Sequence, residues 1–202
     1  MAPKLVLASQ SVPRKLLLER LKIPFTVMPS AISEDQMPGE SPMDLVERLS
    51  VEKALTVAKR LQPDELSYII IGSDQVAMFN NTVYGKPGDY ENAFKQLKLF
   101  NNQIIEFITG LCLVKLDADG TLETKYTYEI SSIKLRNLTD QQIENYLHKD
   151  QPYQCAASFK IEGLGISLAE QIDTRDFNAI IGLPMIQLIQ GLKDLGLDVL
   201  TR

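Results

Sequence analysis

The chain has 202 residues, of which 45% are hydrophobic, and a formal net charge of −5. This is enough apolar material for a sizeable core, and one domain over residues 1–202 is the simplest expectation. The negative charge excludes a globally basic surface for nucleic acid, so an anionic ligand would need a local cluster of Lys and Arg.

Strand and helix patterns alternate along the first part of the chain without a long linker rich in Pro, Gly or Ser. In chain order they predict a strand at residues 4–8, a helix at 12–21, a strand at 23–28, a polar loop at 29–40, a helix at 42–61 and a strand at 68–72. The longer helix has a favourable start, because Ser41 can cap it and Pro42 suits the first helical position. The apolar strand at 68–72 is typical of one that is covered on both faces.

The rest of the chain continues the alternation. In chain order it predicts a hairpin at residues 75–84, a helix at 89–99, strands at 104–116 and 121–135, a helix from 139 to 149 and a last helix at 184–195. The hairpin turn is placed at Asn80 and Asn81, and Thr139 with Gln142 forms a capping-box pattern. The whole arrangement predicts an α/β fold.

The first candidate site lies where the first strand meets the first helix, at Ser9-Gln10-Ser11. Free backbone N–H groups at a helix start attract anions, and Arg14 one turn later could add a bidentate contact to phosphate. The alternative is that Ser9 or Ser11 only caps the helix while Arg14 is solvated.

Lys53 is the second candidate, because it shares one helical face with Leu45, Leu49 and Val57. A lysine in an apolar stripe can extend its ammonium group to water. It can instead line a cleft, where its charge meets a bound anion. The sequence leaves both readings open.

Asp74 directly follows the apolar run at 68–72, so we expect it at the carboxyl end of a buried strand, where open α/β sheets bind ligands. It could ligate a hard divalent cation or accept a proton from water, although Asp also ends strands as a turn former. With a two-residue turn at 80–81, Gln75 would face Lys86 in the hairpin. Lys86 is therefore expected beside the Asp74 backbone.

Glu34 lies in an acidic loop, which is either solvated or folds over Asp74 to give a metal a second oxygen ligand. His148 is the only histidine, and we interpret it as an end-of-helix residue and not as a catalytic base. The chain has no Gly-x-Ser-x-Gly motif and no Walker-type phosphate loop, which argues against a serine hydrolase triad and a P-loop enzyme.

Further short motifs accompany these candidates in a specific order along nearly the whole chain. The set comprises LASQSVPR at 7–14, Glu34, Lys53, GSDQ at 72–75, GKP at 85–87, ASF at 157–159, EG at 162–163 and GLP at 182–184. Each motif is short, but their joint order resembles that of the Maf family.

The resemblance implies a nucleoside triphosphate pyrophosphatase that uses a divalent cation (Mg, Mn or Co). It also implies a fold related to inosine-triphosphate pyrophosphatases, with a central mixed sheet flanked by helices and a cleft between two lobes. By position, Asp74 corresponds to the proton acceptor, and Glu34 to an acidic site residue that could bind metal together with Asp74. The phosphate-handling positions correspond to Ser9, Arg14, Lys53 and Lys86.

Substrate specificity is expected to depend on Pro13, Gln75 and Glu162. Gln75 and Glu162 resemble the branch of the family that acts on 7-methyl-GTP, whereas the dTTP and UTP branch has Thr and Gln at these positions. Pro13 departs from the family pattern, which often has Trp there in this branch. A dTTP/UTP pyrophosphatase and a non-catalytic nucleotide-binding regulator of cell division are the alternatives.

The expected environment is the cytoplasm. No signal peptide is recognised and no apolar run reaches the roughly 20 residues that span a bilayer. The two cysteines, Cys112 and Cys155, have neither disulfide-framework nor metal-ligand spacing, so buried free thiols are expected. Nucleic-acid and membrane partners are not expected, and a homodimer is left open.

Overall fold

The structure, a computed structural model, describes residues 3–61 and 67–201 as a sheet with helices on both faces. Its elements in chain order are β1 (Lys4–Leu7), α1 (Val12–Glu19), β2 (Phe25–Val27), α2 (Pro42–Ala58), β3 (Tyr68–Phe79), β4 (Thr82–Tyr84), α3 (Tyr90–Phe100), β5 (Ile104–Leu116), β6 (Leu122–Leu135), α4 (Asp140–Asp150), β7 (Ala169–Asp173), α5 (Phe177–Ile181) and α6 (Met185–Asp194). Short 3-10 helices lie at Ala156–Ser158, Leu164–Leu168 and Val199–Thr201.

Within the described residues, seven strands form one mixed sheet in the order β2-β1-β3-β5-β6-β7, with β4 also paired to β3. β1 runs parallel to β2 and β3, and the remaining pairs are antiparallel. The predicted α/β fold with a central mixed sheet is confirmed. The single domain of two lobes stays a prediction; it spans 1–202, of which 1–2, 62–66 and 202 lie outside the described residues.

The centre of the sheet is buried on both faces because alternate residues of its strands point to opposite sides. Along β1 and β3, Leu5 and Ile69 pack with residues of α1 and α6 on one face. Val6 and Ile70 pack against residues of α2 on the other face. This explains why the strand patterns are continuous apolar runs.

β3 is longer than the sequence predicts. It continues through Asp74 to Phe79 because β5 pairs with it from Tyr68 to Met78. The expectation that Asp74 ends a strand was therefore wrong. On the opposite edge, β1 pairs with β3 only as far as Ile71, and β4 begins its pairing at Ala77. Asp74 lies in the interval between these two partners.

The hairpin between β3 and β4 forms as predicted. Asn80 and Asn81 both have positive φ, at 49° and 59°, as a two-residue turn between twisted strands requires. The described pairs end at Ala77 and Tyr84, so the predicted pairing of Gln75 with Lys86 was wrong. The chain leaves the sheet after β4, which ends at Tyr84.

Helix starts follow their sequence signals, since they depend on local hydrogen bonds. Ser41 accepts from the backbone N–H of Asp44, and Thr139 and Gln142 form both bonds of a capping box. The short elements β7 and α5 were not predicted. Within the described residues, no helix combines the length and apolarity needed to cross a membrane.

Candidate active site

A cleft of about 890 Å³ opens where β1 ends beside the middle of β3. Its walls come from the start of α1, the loop before α2, the middle of α2, β3, the segment after α4 and the end of α5. The residues predicted for the site all line this cleft: Ser9, Pro13, Arg14, Glu34, Lys53, Asp74, Gln75, Lys86 and Glu162. Tertiary structure thus brings together residues spread over most of the sequence.

Lys53 connects two acidic residues of the cleft, Asp74 and Glu34. Its Nζ lies 2.6 Å from Oδ1 of Asp74 and 2.6 Å from Oε1 of Glu34. The Lys53 side chain is 6% exposed and that of Asp74 is 10% exposed, whereas Glu34 is half exposed. The alternative in which Lys53 extends to bulk water is therefore excluded, because its ammonium group is buried between carboxylates.

Two glycines let α2 lie directly on the sheet at this point. A Cβ atom at Gly72 would be 2.2 Å from the backbone oxygen of Ser50, and one at Gly110 would be 2.6 Å from Ser50 Oγ. The close approach lets Ser50 Oγ accept a hydrogen bond from the backbone N–H of Asp74 at 3.0 Å. Lys53 lies one turn after Ser50 on the same helical face, which places its amine at Asp74.

The loop that carries Glu34 is held by two arginines, one in α2 and one just after the end of that helix. Arg48 makes a bidentate pair with Glu40, at 2.6 Å and 2.9 Å, and also donates to the carbonyl of Asp35. Arg60 donates to the carbonyls of Pro29 and Ser30. The hydrogen bond from Arg48 lowers the pKa of Glu40 to about 2.

The ionisation of Glu34 reflects the cations around it. Partial burial would raise its pKa, but the hydrogen bond and charge of Lys53 act in the opposite direction, with further contributions from Lys86 and Arg14. The net effect is a lowered pKa, so Glu34 is a carboxylate at neutral pH. The cleft therefore combines carboxylates with a local cluster of positive charge, although the whole chain is acidic.

Arg14 is buried and fixed from the far end of the chain. Its Nε donates to the carbonyl of Gly182 at 2.7 Å, and Ser73 Oγ donates to the same oxygen at 3.1 Å. Burial lowers the pKa of Arg14, while the charges of Asp74 and Glu34 oppose this. Arg14 is therefore not a solvated surface residue.

The serines before α1 have local partners as well as positions in the cleft. Ser11 caps α1, since its hydroxyl accepts from the backbone N–H of Arg14 at 3.4 Å. Ser9 Oγ accepts from the backbone N–H of Ser11 at 3.1 Å. The capping role considered for this segment is thus present, and it leaves the segment lining the cleft.

The predicted specificity residues line the cleft on three different segments. Gln75 belongs to β3 and Pro13 to α1, whereas Glu162 lies in the irregular segment between α4 and β7 and is exposed. Gln154 and Lys160 from that segment also line the cleft. Sequence reasoning missed them because the segment has no periodic pattern that would give a side chain its direction.

His148 does not line this cleft and stacks on Tyr90, with ring centroids 5.2 Å apart. That His148 is not the catalytic base stays a prediction. Among residues 3–61 and 67–201, no group of three or more His, Cys, Asp or Glu side chains could hold a metal ion.

The fold and the site together define an α/β protein whose cleft brings Lys and Arg side chains against two carboxylates. The family model described as Maf-like protein matches residues 4–195, and the chain belongs to this family.

Named relatives extend the comparison over the whole chain. A 7-methyl-GTP pyrophosphatase of Pseudoalteromonas translucida (strain TAC 125) is 43% identical over 197 residues, covering 98% of this chain and 94% of that protein. A 7-methyl-GTP pyrophosphatase of Nitrosococcus oceani is 45% identical over 200 residues, covering 98% and 96%. Among solved structures, the Staphylococcus aureus Ham1 protein is 14% identical with a TM-score of 0.46, covering 95% of this chain and 98% of that chain.

Proposed function

We propose that this chain is a nucleoside triphosphate pyrophosphatase that hydrolyses the anhydride between the α- and β-phosphates. The observation that carries the proposal is the contact of Lys53 with both Asp74 and Glu34, at 2.6 Å each, in a cleft that Arg14 and Lys86 also line. A triphosphate needs several cations, and its hydrolysis needs a group that orients water. This cleft offers both, and the family and the names of the relatives agree with that chemistry.

The three cations are proposed to hold the triphosphate. Arg14 commits its Nε to Gly182, so its terminal nitrogens are the donors left for a bidentate contact with phosphate. Lys53 and Lys86 act as point charges that neutralise phosphate oxygens. Ser9 adds a hydroxyl at the edge of the cleft, in the segment where β1 ends.

Asp74 is proposed as the residue that orients the attacking water and accepts its proton. The water oxygen forms a bond to phosphorus, the anhydride bond to the leaving group breaks, and the electron pair leaves with pyrophosphate. The products are a nucleoside monophosphate and pyrophosphate. Because Asp74 is nearly buried and anchored through its backbone to Ser50, its carboxylate is pre-positioned and loses little entropy on binding substrate.

A divalent cation (Mg, Mn or Co) fits the donors of this cleft. Magnesium is usually bound by one or two carboxylates together with substrate phosphates and water, and not by an all-protein cage. Asp74 and Glu34 provide two carboxylates that contact the same nitrogen of Lys53, so both can face one bound cation. When bound, such an ion would polarise phosphate oxygens and offset the charge that develops during bond cleavage.

We propose 7-methyl-GTP as the preferred substrate and the cytoplasm as the site of action. The relatives named above act, by their names, on 7-methyl-GTP. Glu162 offers a carboxylate that can accept hydrogen bonds from N1–H and the exocyclic amine of guanine, and its charge suits a cationic methylated base. Pro13 cannot stack on the base as an aromatic side chain would, so Glu162 and Gln75 carry more of the base preference.

A substrate panel tests the proposal. Release of pyrophosphate would be measured for 7-methyl-GTP, GTP, dTTP and UTP, each with Mg, Mn or Co and with EDTA as the metal-free control. We expect the highest kcat/KM for 7-methyl-GTP and no turnover in EDTA. Preference for dTTP or UTP would assign the chain to the dTTP/UTP branch of the family. Nucleotide binding without pyrophosphate release would support a non-catalytic nucleotide-binding regulator instead.

A further inference from the structure

The side-chain amide of Gln75 is held by three acceptors on the wall of the cleft. Its Nε2 lies 2.9 Å from Thr109 Oγ1, 2.8 Å from the carbonyl of Ala179 and 3.0 Å from the carbonyl of Ile180, so its two hydrogens are shared among these three acceptors. Thr109 is the cross-strand neighbour of Gln75 on β5 and is 1% exposed. The two carbonyls belong to the last turn of α5, and that of Ala179 also accepts from the backbone N–H of Gly182 at 3.0 Å.

The chemistry of these partners leaves one orientation for the amide. Carbonyl oxygens can only accept hydrogen bonds, so the NH₂ group of Gln75 must face Ala179 and Ile180. Turning the amide by 180° would place its oxygen against two carbonyl oxygens. Thr109 Oγ1 donates its own hydrogen to the carbonyl of Ala179 at 2.9 Å, and its lone pairs are therefore available to the NH₂ group of Gln75.

With the NH₂ group committed, Oε1 is the polar atom that Gln75 has left for a ligand. It accepts no hydrogen bond from the part of the chain that the structure describes, and Gln75 lines the cleft. We propose that Thr109 is a positioning residue for substrate selection. With the carbonyls of Ala179 and Ile180, it holds the Gln75 amide so that Oε1, a hydrogen-bond acceptor, faces the cleft and the NH₂ donor does not. The inference rests on the proposed function, because it concerns which base the cleft selects.

Gln75 Oε1, held as an acceptor, complements guanine better than thymine or uracil. Guanine, with or without the 7-methyl group, presents two adjacent donors, N1–H and the exocyclic amine. Gln75 Oε1 and the carboxylate of Glu162 are both acceptors, so they complement these donors. Thymine and uracil present one N–H between two carbonyl oxygens. A Gln75 amide that could turn would donate to those carbonyls, and a fixed amide therefore disfavours pyrimidines.

Replacing Thr109 with Val tests this role by removing one anchor of the amide while keeping the side-chain shape. Dissociation constants of 7-methyl-GTP and dTTP would be measured by calorimetry in EDTA, so that the readout does not depend on turnover. We expect the preference for 7-methyl-GTP over dTTP to fall about five-fold, as for the loss of about one net hydrogen bond. Thr109→Ser, which keeps the hydroxyl, should keep the wild-type preference. In a Gln75→Ala background, Thr109→Val should not lower the preference any further.

A matched control exists on β6, where Thr127 Oγ1 donates to Gln187 Oε1 at 3.1 Å and neither residue lines the cleft. Thr127→Val removes the same kind of contact and should leave the preference unchanged. Equal preference in Thr109→Val and wild type, or the same loss in Thr127→Val, would overturn the inference.

A second variant keeps the test decisive if Thr109→Val does not fold. Gln75→Glu places a carboxylate against the carbonyls of Ala179 and Ile180, so we expect the preference for 7-methyl-GTP to fall despite the added acceptor. A retained or improved preference would contradict the proposed anchoring. Failure of the proposed function has a different signature: wild type would release no pyrophosphate in Mg, while the binding preference could still be read.

Discussion

Replacing Gly72 with Ala tests whether the site depends on the close approach of α2 to β3. The added Cβ would lie 2.2 Å from the backbone oxygen of Ser50 and 2.9 Å from both the backbone nitrogen and the Cβ of Ala54. Backbone atoms cannot turn aside as the end of a flexible side chain can, so the helix and the strand must separate. Overpacking of this kind costs about 1–3 kcal/mol, and each kcal/mol lowers the melting temperature by about 2–4 °C at this chain length. We therefore expect Tm to fall by roughly 2–12 °C.

The same separation should reduce catalysis. It moves Lys53 away from Asp74. In the wild type, Lys53 Nζ lies 2.6 Å from Asp74 Oδ1. A misplacement of about 1 Å can cost about 100-fold in rate, so kcat/KM should fall by about that factor. The measurement is pyrophosphate release at a temperature well below the lowered Tm, where circular dichroism shows that the variant is folded.

Gly85 provides the control for stability. It is exposed, its φ does not lie in the left-handed region, and a Cβ atom there would have no atom within 4 Å. Gly85→Ala should therefore change the free energy of unfolding by less than about 0.5 kcal/mol. If Gly72→Ala had the same Tm as Gly85→Ala and the kcat/KM of wild type, the packing argument would be refuted.

Three further predictions concern the charged residues of the cleft. Asp74→Asn should lower kcat by about 10²–10⁴-fold, the usual contribution of a positioned base, measured at a temperature where circular dichroism shows that the variant is folded; near-native turnover would contradict the assignment. Lys53→Met leaves two carboxylates without their shared cation, so it should destabilise the chain by about 3–5 kcal/mol in urea unfolding, and adding Asp74→Asn should recover part of the loss. Glu34 has a lowered pKa in the folded chain, so its stabilising contribution is present above its ordinary value of 4.5 and is lost as the pH falls through the lowered value. Glu34→Gln should therefore flatten the decline of unfolding free energy as the pH falls below 4.5, and an unchanged slope would contradict the charge assignment.

The sequence predicted much of the local structure because local hydrogen bonds and side-chain periodicity determine it. The strand at Ile104–Leu116 has the predicted bounds, and the turn at Asn80 and Asn81 has the positive φ values that these residues tolerate. The caps at Ser41 and Thr139 also form as their spacing indicates. The order of short motifs, in turn, predicted nine residues that line one cleft.

Tertiary pairing overrode the local pattern at β3. The polar residues Ser73, Asp74 and Gln75 resemble the end of a strand, yet the long ladder with β5 keeps them extended. The sequence cannot reveal this, because the ladder depends on residues more than thirty positions away in β5, such as Gly110, which pairs with Asp74. The placement of Asp74 inside β3 is thus a property of the sheet.

The partners of the site residues were decided in the same way. Side-chain chemistry alone showed that Lys53 and Arg14 can bind anions, but it left open whether they are solvated. The structure gives Lys53 two carboxylates and gives Arg14 the carbonyl of Gly182, 168 residues away. The sequence by itself determined which groups this protein carries and which short elements they lie on. Only the tertiary structure decided which groups meet, because hydrogen bonds and ion pairs are made over about 3 Å, and that proximity arises from the packing of α1, α2 and α5 around β3.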